Sequence, residues 1–238
     1  MPIKAVLFDM FDTLMLIEKN HAFYSPSLKR AHKFLVNNGV NVQFPAFRDA
    51  YIKARDALYA EADPKLEEPH FNCRITNALE NLGYRNVENK VVAGTTNEFC
   101  EEFMKYVRID DNTKNTLEKL HARYKLGIVS NFAIPECVDK LLEKHCIDKL
   151  FDAVVVSGAV NKRKPSPEIF QKALQKLGVS AKETVFVGDT VDADVMGAKA
   201  AGMKSIFIER RVQKEAEQAC PNHTIKSLNE LAEAIKNC

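Results

Sequence analysis

The 238-residue sequence contains 46% hydrophobic and 28% charged residues and has a formal net charge of +2. These values are near the averages for globular proteins, so they exclude a disordered or fibrous chain. Acidic and basic residues are interleaved, which excludes an extended basic surface for nucleic acid, and no apolar run approaches the roughly 18 residues that a membrane span requires.

Five short apolar runs predict buried parallel strands, each too short for a helix. They are Ile3–Phe8, Leu126–Val129, Ala153–Val156, Thr184–Val187 and Ser205–Ile208. Helical periodicity separates the last four, near Pro135–His145, Pro167–Leu177 and Ala193–Ala201. This alternation predicts an α/β fold with a doubly wound sheet. Because the sequence enters the first strand at once, we expect no signal peptide and a cytoplasmic protein.

The stretch between the first two strands, from about Leu16 to Arg108, has no convincing strand pattern. It shows helical periodicity near Ser27–Asn37, Phe44–Ala60, Asn72–Leu82 and Val87–Val107. We therefore predict an all-helical domain over residues 16–108, inserted into an α/β core formed by residues 1–15 and 109–238. Open α/β sheets bind ligands at the carboxyl edge of the strands, so this insertion is expected to cover the active site.

The six cysteines are far apart, without a CxxC pair or a cysteine–histidine group at zinc-ligand spacing. We expect reduced thiols that fill apolar space, and we assign them no role.

The first candidate site is Phe8–Leu14, where a strand ends at Asp9 and a hydroxyl residue, Thr13, follows four positions later. A carboxylate in this place can act as a nucleophile. An aspartate after a strand is also common in turns. The segment alone therefore leaves both interpretations open.

Two further segments carry groups that bind anions. Ser130 and Asn131 end a strand and offer a hydroxyl and an amide. Lys164 lies in a basic loop that leads into a helix with start signals at Ser166 and Pro167. Taken alone, Ser130 and Asn131 are more simply interpreted as a capped turn, and the basic loop around Lys164 as a solvated run of charges.

The fourth segment, Val187–Asp194, has three carboxylates within six residues, at Asp189, Asp192 and Asp194. Acids so crowded at the end of one strand either repel each other or share a cation. Oxygen-only ligands suit Mg²⁺, which takes one or two carboxylates and completes its shell with water and substrate. Helix capping by Asp192 is the competing use.

In order and context these segments resemble the four motifs of the haloacid dehalogenase superfamily. The corresponding residues are Asp9 with Thr13, Ser130, Lys164, and Asp189 with Asp194. The resemblance covers the whole α/β core, and it implies a Rossmann-like core with a helical cap.

The resemblance also implies roles. Asp9 would be the nucleophile, and Ser130 and Lys164 would hold the anionic substrate, with Asn131 beside them. Asp189 would bind Mg²⁺ together with Asp9 and the backbone carbonyl of Phe11. Asp194 would be a further ligand or would support the ligands from behind.

One position departs from the phosphatases of this superfamily. They carry a second aspartate two residues after the nucleophile as general acid and base, whereas this chain has Phe11 there and Asp12 one position later. The leaving group then lacks its usual proton donor. An aromatic residue here resembles the 2-haloacid dehalogenases, whose halide needs no proton. Those enzymes, however, use no metal and lack the Gly188-Asp189 pair.

The leading hypothesis is a Mg²⁺-dependent phosphatase of small phosphorylated metabolites that forms an aspartyl-phosphate on Asp9, because Asp9 and Asp189 would repel each other without a cation. A metal-free 2-haloacid dehalogenase is the alternative, with Phe11 packed on the substrate. A non-catalytic binding protein on the same fold is a second alternative. The resemblance also makes Arg48, in the predicted cap, a candidate to bind a substrate carboxylate or halide, as a cap arginine does in the family's dehalogenases. A solvated surface position is its simpler interpretation. The expected partner is a small anionic molecule; the sequence does not fix the substrate or the oligomeric state.

Overall fold

The computed structural model describes residues 2–18, 22–210 and 219–238, and its centre is a six-stranded sheet in the order β5-β4-β1-β6-β7-β8. The strands are β1 (Ala5–Phe8), β4 (Lys125–Ser130), β5 (Ala153–Val156), β6 (Thr184–Gly188), β7 (Lys204–Ile208) and β8 (His223–Ile225). All neighbouring strands are parallel. The predicted α/β, Rossmann-like fold is confirmed.

The middle of the sheet aligns three strand ends. All four residues of β1 are buried, and Phe8 pairs with Ile128 of β4 on one side and Val187 of β6 on the other. Strands covered on both faces are continuous apolar runs, which is why the sequence predicted them. The residues that follow β1, β4 and β6 consequently meet at one edge.

Helices connect the core strands and cover the sheet. They are α5 (Thr113–His121), α6 (Pro135–Lys144), α7 (Ser157–Val160), α8 (Pro167–Leu177), α9 (Gly197–Ala200) and α10 (Leu231–Lys236). The predicted start of α8 is confirmed, since the Ser166 hydroxyl accepts a hydrogen bond from the Glu168 N–H at 3.4 Å. Gly178 ends the helix in the left-handed conformation, with φ of 64°. Where one helix was predicted after β6, the chain forms a π-helical turn, Val191–Met196, before α9.

Among the described residues, four α-helices lie between β1 and α5, as the sequence predicted. They are α1 (Tyr24–Asn37), α2 (Phe44–Ala62), α3 (Phe71–Asn81) and α4 (Asn89–Phe103). α1 packs against α4 and α2 against α3, around buried aromatic residues such as Phe47, Tyr51 and Phe103. None of the helices in the described ranges combines the length and apolar character that a bilayer span requires.

The expectation of no strand in this stretch is wrong at its two ends. β2 (Met15–Ile17) and β3 (Val107–Ile109) form an antiparallel pair apart from the main sheet, and Leu16 pairs with Arg108. The last predicted helix therefore ends at Phe103, before a 3₁₀ turn and β3. Strands of three residues are too short for a periodic signal. The assignment of residues 16–108 as a separate domain stays a prediction.

The expectation that all six cysteines are reduced is wrong for one pair. Cys100 of α4 and Cys137 of α6 form a disulfide, with their Cα atoms 5.8 Å apart. Lys140 of α6 adds an ion pair to Glu101 of α4 at 2.5 Å. The inserted helices are thus fastened to the core at α6, by a contact between residues 37 positions apart that cysteine spacing does not predict.

We predict that a thiol reagent applied in denaturant without reductant titrates the four cysteines outside the disulfide, and all six after reduction. Cys137→Ser should raise the number of thiols that react without reductant by one, because it releases Cys100. Cys146→Ser should lower that number by one. Six reactive thiols in the unreduced wild-type protein would contradict the assignment.

Candidate active site at the carboxyl edge of the sheet

Asp9 lies where β1 ends, and the sheet holds its backbone. Its N–H donates to the Val187 carbonyl of β6 at 2.8 Å, and the residue is 8% exposed. Ser130, the last residue of β4, and Asp189, directly after β6, are also buried. The structure therefore brings together these three predicted site residues, as the alignment of the strand ends requires.

Lys164 connects two of the carboxylates at this edge. Its ammonium group lies 2.6 Å from Asp9 Oδ1 and 2.7 Å from Asp194 Oδ1, and its side chain is only 1% exposed. Burial lowers the pKa of Lys164, but Asp194 and Asp9 outweigh it and hold that pKa above its ordinary value. The two neighbouring carboxyl groups therefore stabilise Lys164 in its charged form.

Asn131 holds the Lys164 backbone. Its Oδ1 accepts from the Lys164 N–H at 2.8 Å, and its Nδ2 donates to the Lys164 carbonyl at 3.0 Å. The sequence predicted substrate contact for Asn131; in the structure its amide fixes the loop that carries the lysine. Ser130 is fully buried, and its hydroxyl has no hydrogen-bond partner among the described residues.

The turn after Asp9 orients its carboxylate. The Thr13 hydroxyl donates to Asp9 Oδ2 at 3.3 Å, so Thr13 stands where the sequence predicted. Asp12 has a positive φ of 56°, and its Oδ1 accepts from the Ile17 N–H at 3.3 Å. The Asp12 carboxylate therefore stabilises the turn.

Arg210 was missed by the sequence analysis. Its guanidinium donates to the backbone carbonyls of Asp12 and Thr13 at 3.0 and 2.8 Å, and pairs with Asp110 at 3.0 Å. It fastens the turn to the end of β7, from a position 198 residues away from Asp12. No local pattern signals such a contact.

Three carboxylates, Asp9, Asp189 and Asp194, each place one oxygen in a group whose atoms all lie within 4.8 Å of one another. Burial raises the pKa of Asp9 to about 7; Lys164 opposes this shift, and Asp194 and Asp189 add to it. One lysine thus leaves the group with excess negative charge. A cluster of hard oxygen donors with such an excess fits a divalent cation such as Mg²⁺.

Asp194 has partners on both of its oxygens. Oδ1 pairs with Lys164, and Oδ2 accepts from the Thr190 N–H at 2.9 Å. It also lies against Gly188: a Cβ added there would come within 2.3 Å of Asp194 Oδ2 and 2.6 Å of its Cβ. Gly188 is therefore required for Asp194 to approach Lys164.

The charged groups open into a cavity of about 200 Å³, which Phe11 and Asp12 also line. The Phe11 ring contacts Phe132 and Phe103, with centroids 4.9 and 5.8 Å away. Phe11 thus presents an aromatic surface beside Asp9, at the position where phosphatases of the superfamily carry their second aspartate.

The structure does not bring Arg48 to this cavity. Its side chain is 49% exposed and pairs with the neighbouring Asp49 at 2.8 Å. It lies on α2, outside the residues that line the cavity.

Residues 47–208 match the sequence profile described as haloacid dehalogenase-like hydrolase. The chain belongs to this hydrolase family. The predicted membership of the haloacid dehalogenase superfamily is confirmed, and it favours an enzyme over the non-catalytic alternative.

Relatives of this hydrolase include a glyceraldehyde 3-phosphate phosphatase of Methanocaldococcus jannaschii, 28% identical over 99% of this chain and 98% of the relative. A phosphoserine phosphatase of Thermus thermophilus is 38% identical over 46% of this chain and 45% of the relative.

Two solved structures share the fold of this hydrolase. A 2-haloacid dehalogenase from Pseudomonas syringae pv. Tomato aligns with a TM-score of 0.73 at 23% identity, covering 98% of both chains. A HAD phosphatase from Thermococcus onnurineus aligns with a TM-score of 0.65 at 25% identity, covering 99% of both chains.

We predict that Gly188→Ala destabilises the hydrolase by about 1–3 kcal/mol through overpacking against Asp194, measured by urea unfolding. It should also lower turnover on the order of a hundredfold by displacing the carboxylates. In an Asp194→Gly background, where the contacting atoms are gone, Gly188→Ala should cost little further stability. An equal cost in both backgrounds would show that this contact is not the cause.

Proposed function

We propose that this hydrolase is a Mg²⁺-dependent phosphatase that hydrolyses small phosphate monoesters through an aspartyl-phosphate on Asp9. The observation that carries the proposal is the buried group of Asp9, Asp189 and Asp194, for which the described residues supply one buried cation, Lys164. An anionic substrate can approach such a group only if a further positive charge compensates it.

Asp9, Asp189 and the backbone carbonyl of Phe11 would hold the ion, with Asp194 as a further ligand or as a support through Lys164. When bound, Mg²⁺ supplies positive charge that offsets the repulsion between the carboxylates and the phosphate. The set of oxygen donors agrees with the preference of Mg²⁺.

The chain's own residues supply the rest of the chemistry. Lys164 and Thr13 donate to opposite oxygens of Asp9 and so fix its carboxylate. One Asp9 oxygen attacks phosphorus as the ester oxygen departs, and water then attacks the aspartyl-phosphate and releases phosphate. Lys164 and the Ser130 hydroxyl would bind the phosphoryl oxygens, whose charge spreads in the transition state.

Relatives support phosphate as the reacting group. The protein from Methanocaldococcus jannaschii, which aligns over 99% of this chain, is a glyceraldehyde 3-phosphate phosphatase, and the Thermus thermophilus relative is a phosphoserine phosphatase. Both names specify small phosphorylated molecules as substrates.

Phe11 restricts the leaving group. No carboxylic acid stands at that position to protonate a departing alkoxide, and the Asp12 carboxylate is bonded to the Ile17 N–H of its own turn. Leaving groups that are stable as anions should therefore react fastest.

The alternative function is a 2-haloacid dehalogenase, which Phe11 favours because a halide leaves without a proton. Asp189 opposes it: a third buried carboxylate beside Asp9 adds repulsion, and repulsion of this kind raises the pKa of the nucleophile. The charge of the cluster thus favours the phosphatase.

We further propose that residues 16–108 act as a cap that opens to admit substrate, with hinges near Leu16 and Arg108. In the described structure, Arg163, the residue before Lys164, pairs with Asp63 at 2.7 Å, and Lys162 donates to the Lys65 carbonyl at 3.0 Å. These exposed contacts can break at little cost, whereas the Cys100–Cys137 disulfide keeps the end of α4 on α6. The opening would therefore be a rotation about that end of α4, close to the hinge at Arg108. Closure would exclude bulk water while the ester forms on Asp9.

We predict that Asp9→Asn lowers kcat with p-nitrophenyl phosphate more than about a hundredfold, because the amide cannot form the acyl-phosphate. Asp12→Asn is the matched control and should retain most activity, since an amide oxygen can still accept from Ile17. Circular dichroism checks the fold. An Asp9→Asn variant that keeps more than about a tenth of the activity, with deamidation excluded, would show that Asp9 is not the nucleophile.

We also predict that EDTA abolishes hydrolysis of p-nitrophenyl phosphate and that Mg²⁺ restores it. Asp189→Asn should behave like removal of the metal, whereas Asp192→Asn, at an exposed position in the same segment, should not. Release of chloride from 2-chloropropionate at a rate insensitive to EDTA, without phosphate turnover, would establish the dehalogenase instead.

A further inference from the structure

The cavity of about 200 Å³ beside Asp9, Lys164 and Asp189 is called the reaction cavity below. A second cavity of about 210 Å³ adjoins it, and Asn131 lines both. Aromatic rings form much of its wall, including Phe71, Phe99 and Phe132. Phe132 also contacts Phe11, so one aromatic surface runs from the reacting group into this space. At about 30 Å³ per water molecule, the volume admits a group of roughly seven non-hydrogen atoms.

One end of the second cavity is polar. The Tyr59 hydroxyl donates to Glu68 Oε1 at 2.6 Å, and Arg74 lies 3.3 Å from the same oxygen and donates to the Tyr59 hydroxyl. The side chains of Arg74 and Glu68 are only 11% and 8% exposed. This end offers both hydrogen-bond donors and acceptors, fixed in position by their mutual contacts.

The charges around the second cavity are balanced. Arg74 is compensated by Glu68. The two other arginines near its tyrosines are also paired: Arg55 with Asp56 and Arg163 with Asp63, each at 2.7 Å. An additional carboxylate entering this space would meet no uncompensated cation among the residues that the structure describes, so nothing there would offset its loss of hydration.

We propose, building on the phosphatase function above, that the second cavity binds the leaving group, and that the substrates are phosphate monoesters of compact, uncharged, planar groups with an acidic hydroxyl. A phenol carrying a neutral polar substituent is the simplest member of this class. The ring packs between the aromatic walls, and the substituent bonds to Glu68 and Arg74. The departing oxygen leaves as a stable anion beside Phe11, without a proton donor.

The test compares three phosphates with Mg²⁺ present: 4-hydroxyphenyl, 4-carboxyphenyl and glycerol 1-phosphate. We expect kcat/KM for the hydroxyphenyl ester to exceed that for the carboxyphenyl ester at least about tenfold, because its substituent leaves no unpaired charge. In water the carboxylate makes the better leaving group, so this order must come from the cavity. Glycerol 1-phosphate, with an alkoxide leaving group, should be slower still.

Two variants shift the charge of the polar end in opposite directions. The quantity compared is the ratio of kcat/KM for the hydroxyphenyl ester to kcat/KM for the carboxyphenyl ester. Glu68→Gln leaves Arg74 uncompensated and should lower this ratio about tenfold or more. Arg74→Gln leaves Glu68 uncompensated and should raise this ratio. Glu67→Gln is the matched control, because Glu67 pairs with Lys162 and is not among the residues lining the second cavity. Its ratio should equal that of the wild type.

The outcomes separate this inference from the proposed function. If p-nitrophenyl phosphate and all three esters are left intact, the phosphatase proposal fails, and this inference fails with it. If aryl phosphates are hydrolysed but the carboxyphenyl or glycerol ester reacts as fast as the hydroxyphenyl ester, only this inference fails. An unchanged ratio of kcat/KM for the two aryl esters in a folded Glu68→Gln variant would also overturn this inference. If circular dichroism shows that Glu68→Gln does not fold, an unchanged ratio in Arg74→Gln would overturn it instead.

Discussion

The ammonium group of Lys164, buried between Asp9 and Asp194, is the interaction on which the site depends. Three carboxylates that crowd one sheet edge would repel each other in a medium of low dielectric constant. One buried cation makes the arrangement tolerable and still leaves excess negative charge. That excess carries the case for a divalent cation, and removal of the lysine would leave charges buried without compensation.

Several residues around the site keep this cation and the carboxylates beside it in place. Asn131 clamps the lysine backbone through both ends of its amide. Gly188 leaves space for Asp194, and Arg210 fastens the turn that presents Thr13 to Asp9. These residues come from different strand ends, so the parallel sheet supplies the alignment and the loops supply the charges, as expected for an open α/β sheet.

The sequence predicted the core strands because buried parallel strands are continuous apolar runs, and it predicted that Asp9, Ser130 and Asp189 lie together because the residues after such strands meet at one edge. β8 and the pair of β2 and β3 escaped notice because three residues are too few for a periodic signal. The Arg210 contacts, the Cys100–Cys137 disulfide and the Tyr59–Glu68–Arg74 group depend on tertiary packing that carries no local signature. Arg48, selected from its local context, instead pairs with its neighbour Asp49.

The two cavities draw their charged residues from different parts of the chain. The charged residues that line the reaction cavity come from residues 1–15 and 109–238, namely Asp9, Asp12, Lys164, Asp189 and Asp194. Tyr59, Glu68 and Arg74 of the second cavity come from residues 16–108. Phe11 lies at the boundary, in contact with Phe132 of the core and Phe103 of α4. An aspartate at position 11 would lose these two ring contacts and would place a polar group against apolar surface. One side chain cannot supply both the aromatic contact and a general acid, so under the proposed function a chain with the aromatic contact favours substrates whose leaving groups need no proton.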